Sequence, residues 1–140
     1  DLAQMLIIDQ YGNYVVQHVI SQGKPEDQAE LIALVTNQVL ALSKHKFASN
    51  VVERSIVCGT TEQRQAIVAN IVALESDGSS PLQLMMKDQY GNYVVRKSHP
   101  YSPLLILSLL PLYDSKLTHL HRKTPRPTQG RRARSLHRGH

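Results

Sequence analysis

Asp9-Gln10-Tyr11-Gly12-Asn13-Tyr14-Val15-Val16 recurs without change at residues 88–95. An eight-residue identity within 140 residues marks an internal repeat, and the period of that repeat decides the fold. The two copies are offset by 79 residues, from Tyr11 to Tyr90. A degenerate copy lies between them. Phe47-Ala48-Ser49-Asn50-Val51-Val52-Glu53-Arg54 follows the pattern of Tyr11-Gly12-Asn13-Tyr14-Val15-Val16-Gln17-His18 at an offset of 36, and the last copy comes 43 residues later.

The 36-residue register continues beyond the motif. Gly23 aligns with Gly59, Glu26 with Glu62, Ala29 with Gln65, and Leu31-Ile32 with Ile67-Val68. The seven additional residues before the last copy fit an insertion at residues 75–81, whose Ser, Asp, Gly and Pro content predicts an exposed loop. Each unit reads as helical. Gly23 and Gly59 predict helix ends. Pro25 stands where a helix can begin. Thr60 and Gln63 have the spacing of a capping box. Apolar residues recur at helical spacing in Val16, Val19 and Ile20, in Leu31, Leu34, Val35, Gln38 and Leu42 with one polar interruption, and in Ile67, Asn70, Ile71 and Leu74. The many β-branched residues would also suit a short buried strand, but length and repeat spacing favour helix. A period of roughly 35–45 residues with several helices per unit predicts an all-α fold, a superhelical α-solenoid present as a partial array. The expected units are residues 1–36, 37–79 and a partial 80–97. Residues 98–140 form a divergent basic tail, expected to be poorly ordered from about residue 121.

Charge is divided between these parts. Residues 1–97 hold 8 Lys and Arg against 10 Asp and Glu, a net −2, whereas residues 98–140 hold 8 Lys and Arg against Asp114 alone, a net +7. The overall +5 therefore belongs to the tail and says nothing about binding by the repeats. No apolar run approaches the roughly 20 residues of a membrane-spanning helix. Leu104–Leu112 is shorter and contains Pro111. The single cysteine, Cys58, cannot form an internal disulfide, which fits a reducing, cytoplasmic setting; it is expected to be a small buried apolar residue. The chain begins Asp-Leu-Ala-Gln, without a signal-peptide pattern, and reads as cut from something longer. Phosphate loops, nucleophile motifs and metal-ligand spacings are lacking, so neither enzyme activity nor a cofactor is expected. His119-x-His121 has no Cys or acidic companion to make it a metal site.

The polar residues within the motif carry the chemistry. Asn13 and Gln17, Ser49 and Glu53, and Asn92 and Arg96 are each spaced i, i+4, which puts each pair on one helical face. Tyr14, Asn50 and Tyr93 stand at the edge of that face. Stacked units would align the pairs in a row flanked by flat side chains. Single-stranded RNA needs such a surface, since unstacked bases require a platform and a hydrogen-bonding edge. Ionised Glu53 accepts hydrogen bonds only and suits the two donors of guanine; Asn13 and Gln17 both donate and accept, and suit uracil. One polar i, i+4 pair is ordinarily a solvated face, and a tyrosine is ordinarily a core or boundary residue. Recurrence at fixed positions in a constant apolar frame is what favours a reading surface.

Asn13-Tyr14-Val-Val-Gln17, Ser49-Asn50-Val-Val-Glu53 and Asn92-Tyr93-Val-Val-Arg96 resemble the repeats of the Pumilio, or PUF, family over about residues 1–97, in the order and spacing of the last three of its usual eight. The resemblance implies three-helix repeats and sequence-specific binding of mRNA 3′ untranslated regions at a UGU-type core, one base per repeat, in post-transcriptional and translational regulation. RNA runs antiparallel to the protein in that family. Asn13 and Gln17 would then read uracil, Ser49 and Glu53 the guanine just 5′ of it, and Asn92 and Arg96 the next base, with Tyr14, Asn50 and Tyr93 stacking between bases. Translational repression or deadenylation factors are further expected partners of a full-length protein; a membrane or a small-molecule substrate is not.

This chain departs from the family twice. Position 96 would ordinarily be Gln, and donor-only Arg96 can meet uracil O4 or cytosine O2 and N3. After Lys97 the helical pattern gives way to Ser98-His99-Pro100-Tyr101-Ser102-Pro103. The basic cluster Arg131-Arg132-Ala133-Arg134 could add phosphate contacts, although a basic tail without selected function is the plainer reading. Two other readings stand beside RNA binding: a helical scaffold for protein partners, and a truncated, non-functional fragment. The tail is expected to arise by frameshift, intron read-through or alternative splicing. Translating the underlying DNA in the other frames should reveal a repeat-like continuation after Lys97, and its absence from every frame would sink that expectation.

Overall fold

The first repeat folds as three helices, α1 (Leu2–Ile7), α2 (Gly12–Gln22) and α3 (Pro25–Asn37). The second follows the same plan with α4 (Val39–Ser43), α5 (Ala48–Cys58) and α6 (Thr61–Val72). The third contributes α7 (Pro81–Lys87) and α8 (Gln89–Ser98), with a 3₁₀ turn at His99–Tyr101. The computed structural model describes residues 1–102, and no strand occurs among the described residues. Both ends of α2 and α5 lie 36 residues apart, so the register of the sequence is also that of the structure.

Local signals start the helices. A helix leaves its first N–H groups without intrahelical partners. The Asp9 carboxylate accepts from Tyr11 N at 2.8 Å and Gly12 N at 2.7 Å, and Asp88 accepts from Tyr90 N at 3.0 Å and Gly91 N at 2.9 Å. His45 stands at the same repeat position, where its Nδ1 accepts from Phe47 N at 3.1 Å and Ala48 N at 3.2 Å. Pro25 and Pro81 open α3 and α7. Thr60 and Gln63 form the expected capping box, with bonds of 2.9 and 3.2 Å.

The repeats stack helix on equivalent helix. α2 packs on α5 and α5 on α8, α3 packs on α6, and α4 packs on α7. Val16, Val52 and Val95 share one repeat position and are all buried, as are Ile20 and Ile56 at another. Position 15 shows how much a unit owes to its neighbour: Val15 is 57% exposed, whereas Val51 and Val94 are fully buried. The side chain of Gln28 donates to Ile20 O at 3.0 Å, and its repeat equivalent Arg64 donates to Ile56 O at 2.9 Å. Asn70 Nδ2 donates across the repeat boundary to Thr36 O at 2.8 Å. Each motif helix also closes on the short helix before it. A Cβ on Gly12 would lie 2.9 Å from Leu6 O, and one on Gly91 would lie 2.8 Å from both Cα and O of Met85.

Several sequence expectations need correcting. The spacing from Leu31 to Leu42 is not one helix, because Gln38 (φ −127°, ψ 26°) divides α3 from α4. Leu74 lies beyond the end of α6 and is 76% exposed. Cys58, the last residue of α5, is exposed rather than buried; its Sγ lies 3.6 Å from Ser21 Oγ. Gly23 and Gly59 do end their helices, but at negative φ. Their lack of a side chain is needed for another reason: a Cβ would come within 2.5 Å of Val19 O or 2.6 Å of Ser55 O. The insertion loop is exposed over residues 73–78 and turns at Gly78, whose φ is +81°. Ser98, the last residue of α8, and Ser102 are buried, whereas His99, Pro100 and Tyr101 between them are exposed. The expected disorder from about residue 121, the His119-x-His121 pair and the arginine cluster lie outside the described residues. No helix among the described residues is long and apolar enough to cross a membrane.

The close contact of α8 with α7 sets a prediction. Gly91→Ala should lower the urea unfolding midpoint, with a loss of about 1–3 kcal/mol from overpacking. Ala48→Gly, at the position where the middle repeat already accommodates a methyl group, should cost about 1 kcal/mol. An unchanged midpoint for Gly91→Ala would show that the two helices do not approach so closely.

Candidate nucleic-acid interface

Because α2, α5 and α8 lie side by side, residues at one repeat position form rows across the stack. The first row is Asn13, Ser49 and Asn92. Asn13 is only 1% exposed. Its Nδ2 donates to Asp9 O and Gln10 O, both at 2.9 Å, and its Oδ1 accepts from Gln17 Nε2 at 3.0 Å. Ser49 is buried, and its Oγ donates a long bond of 3.4 Å to Lys46 O. Asn92 is half-buried. The first two members thus face inward and tie the motif helix to the turn before it.

The other two rows face outward. Gln17 and Glu53 are half-buried and Arg96 is exposed. With one N–H given to Asn13, Gln17 retains a second N–H and its carbonyl oxygen for an outside group, a donor beside an acceptor. Glu53 presents acceptors only and Arg96 donors only. The flanking row is Tyr14, 67% exposed, half-buried Asn50, and Tyr93, 40% exposed. Lys97 Nζ lies 5.5 Å from the centre of the Tyr93 ring, a cation–π contact. Tyr14 therefore offers an open ring, Tyr93 carries the Lys97 ammonium over one face, and the middle position has no ring.

Gln17 and Glu53 come together from adjacent repeats. They line one groove of about 350 Å³ with Asn50, Arg54, Val57 and Tyr101. The members of each sequence-predicted pair meet differently: Asn13 bonds Gln17 directly, whereas Ser49 and Glu53, and Asn92 and Arg96, stand one helical turn apart. Two features were missed in the sequence. His18, Arg54 and Lys97 occupy one repeat position and are all exposed, making a row of basic residue types beside Gln17, Glu53 and Arg96. Aligning the three copies reveals this row, although the net charge of −2 over residues 1–97 conceals it. Tyr101 carries no repeat signal.

The arrangement has known counterparts. The chain matches the Pumilio-family RNA binding repeat at residues 4–36, 38–72 and 83–98. The mRNA-binding protein PUF3 of Saccharomyces cerevisiae is 47% identical over 74 residues, 49% of this chain and 8% of that protein. Pumilio homolog 4 of Arabidopsis thaliana is 49% identical over 89 residues, 64% of this chain and 9% of that protein. Among solved structures, the Puf3 RNA binding domain bound to the Cox17 RNA 3′ UTR recognition sequence site B superposes with a TM-score of 0.72 at 37% identity, covering 91% of this chain and 40% of that one. PUF-8 in complex with PBE-RNA gives a TM-score of 0.72 at 32% identity, covering 85% and 39%. The chain thus spans less than a tenth of the length of those two relatives and about two fifths of the solved chains.

The inward bonds of Asn13 should be felt in stability. Asn13→Ala removes the side-chain donor to Asp9 O and Gln10 O, of which Asp9 O keeps the bond from the residue-13 backbone N–H, and should cost about 1–3 kcal/mol. Gln17→Ala removes only the outer member and should cost about 1 kcal/mol or less. Urea denaturation of both variants checks the order, and an Asn13→Ala midpoint at or above that of Gln17→Ala would contradict the inward role.

Proposed function

The chain belongs to the Pumilio family of RNA-binding repeat proteins, and from that premise we propose that it binds single-stranded mRNA sequence-specifically, one base to a repeat. The observation that carries this reading is the groove into which successive motif helices bring Gln17 and Glu53, each with a different hydrogen-bonding pattern. A constant backbone frame with varying edge chemistry reads a sequence rather than a shape.

Gln17, oriented by Asn13, meets uracil with its free donor and acceptor. Glu53, with Ser49 beside it, accepts from N1–H and N2–H of guanine. Arg96, with Asn92, donates to uracil O4 or to cytosine O2 and N3 at the next base on the 5′ side. Tyr14 and Tyr93 stack on bases, each contact worth roughly 1–3 kcal/mol, and Asn50 separates bases between them. The basic row of His18, Arg54 and Lys97 lies where a phosphate backbone passing the reading row would be neutralised. The target class is a UGU-type element in an mRNA 3′ untranslated region, consistent with the Cox17 RNA 3′ UTR sequence bound by the Puf3 neighbour. The setting is cytoplasmic post-transcriptional regulation, in which translational repression or deadenylation factors are partners of a longer protein.

Two titrations test the proposal. The chain should bind a labelled UGU-containing RNA more tightly than the same RNA carrying ACA, and Ser49→Asn with Glu53→Gln should turn the preference at the central base from G to U. Equal binding to both RNAs with a steep salt dependence would leave only non-specific attraction by the basic tail. A double variant with no base-specific effect would favour a scaffold for protein partners.

A further inference from the structure

The row of flat side chains is broken in the middle repeat. Tyr14 and Tyr93 supply rings in the outer copies, but Asn50 holds the equivalent place in α5 and has no aromatic face. A ring nevertheless reaches this part of the surface from elsewhere. Tyr101 follows α8 in the 3₁₀ turn His99–Tyr101, outside the repeated motif, and lines the same groove as Gln17, Asn50 and Glu53.

We infer that Tyr101 is a further base-contacting residue, the stacking platform for the base read by Glu53. Three observations carry this. Tyr101 is 43% exposed, so part of its surface remains available to a ligand. The groove keeps about 350 Å³ of open space with Tyr101 on its wall, so the ring flanks the space rather than filling it. The ring is also held in place. The Arg64 guanidinium lies 5.7 Å from its centre, and Arg64 is itself anchored by bonds to Ile56 O at 2.9 Å and Gly59 O at 3.4 Å. A platform positioned before the ligand arrives loses little freedom on binding. The chemistry that fits the groove is a planar purine: an acceptor at Glu53 for its hydrogen-bonding edge, an aromatic face at Tyr101, and a cation at Arg54 for an adjoining phosphate.

This inference rests on the RNA-reading proposal, and the test separates the two. Fluorescence anisotropy on the 140-residue chain would compare a UGU-containing RNA, its ACA counterpart, and a UGU-site RNA made abasic at the G. Tyr101→Ala should weaken UGU binding by about 5- to 150-fold, the range expected for loss of one stacked base. Tyr101→Phe, which keeps the ring, should retain near wild-type affinity. The abasic RNA should bind wild type and Tyr101→Ala alike, because it offers nothing to stack. Tyr101→Leu keeps apolar bulk without a ring, so it carries the test if the alanine variant unfolds, and it should lose affinity as alanine does. UGU binding by Tyr101→Leu at the wild-type level would overturn the inference while leaving base reading intact. Tighter binding would overturn it too, showing that the ring obstructs the groove. Failure of the wild-type chain to distinguish UGU from ACA would remove both proposals.

Discussion

Each motif helix begins with backbone N–H groups that must find an acceptor from the residues just before it, and the outward-facing rows depend on how this is met. Asp9, His45 and Asp88 meet it at the same repeat position. By fixing the first turn, the cap fixes the rotation of the helix against the short helix before it, and so which positions face outward. The carboxylate at Asp9 makes bonds of 2.7–2.8 Å, whereas the His45 nitrogen makes bonds of 3.1–3.2 Å. The Asp88 carboxylate makes bonds of 2.9–3.0 Å, between the two. The backbone N–H groups of Gly12 and then Tyr11 hold the Asp9 carboxyl below its ordinary value of 3.8. Its contribution to folding is therefore fully present above that value and lost as the pH falls through the lowered folded value.

Stacking then converts a local start into an extended surface. A single unit has few residues that can be buried from all sides, and Val15 shows what happens without a motif helix on its outer side. Close approach of the short and motif helices requires the missing side chains of Gly12 and Gly91. The doubled DQYGNYVV is therefore mostly framework: an acceptor for the cap, a glycine for close approach, an inward amide and a core valine. Tyr14 and Tyr93 are among its outward members, as are Gln10, Tyr11, Val15 and Gln89. The positions that differ between copies, Gln17, Glu53 and Arg96, come immediately after that framework, where the side chain can change without disturbing packing.

Much of this was legible in the sequence because it depends on local chemistry and strict spacing. The Thr60–Gln63 box, Pro25 at the start of α3 and the exposed insertion loop follow from residue types that act on their own neighbours, whereas Pro81, expected within that loop, opens α7. The boundary at Gln38 was harder to see, since the apolar spacing runs through it from Val35 to Val39 and Leu42; the break lies in backbone angles that periodicity does not encode. Leu74 continues a helical spacing beyond the last helical residue for the same reason. Asn13 and Gln17 were recognisable as a pair on one face, but their different roles arise from the carbonyls of Asp9 and Gln10 lying within reach of one amide. Tyr101 was out of reach, because its place in the groove depends on the path of the chain after α8, and no repeat position prefigures it.

The energetics explain why such surfaces work as arrays. A stacked base is worth roughly 1–3 kcal/mol, so the two at Tyr14 and Tyr93 give about 2–6 kcal/mol before any cost. Loss of translational and rotational freedom alone costs an estimated 4–15 kcal/mol. These ranges overlap, which places recognition by three repeats near the threshold of measurable affinity. That cost falls once per complex, whereas each further repeat adds another base at only the expense of ordering one more nucleotide. Affinity should therefore rise steeply with repeat number while the preference at each base stays local to its own pair. The solved neighbours, of which this chain covers about two fifths, have that longer form. In a short array, any added contact has a disproportionate effect, because it acts where gain and cost nearly cancel. A ring that restores stacking at Asn50 would have its greatest consequence in a chain of this length.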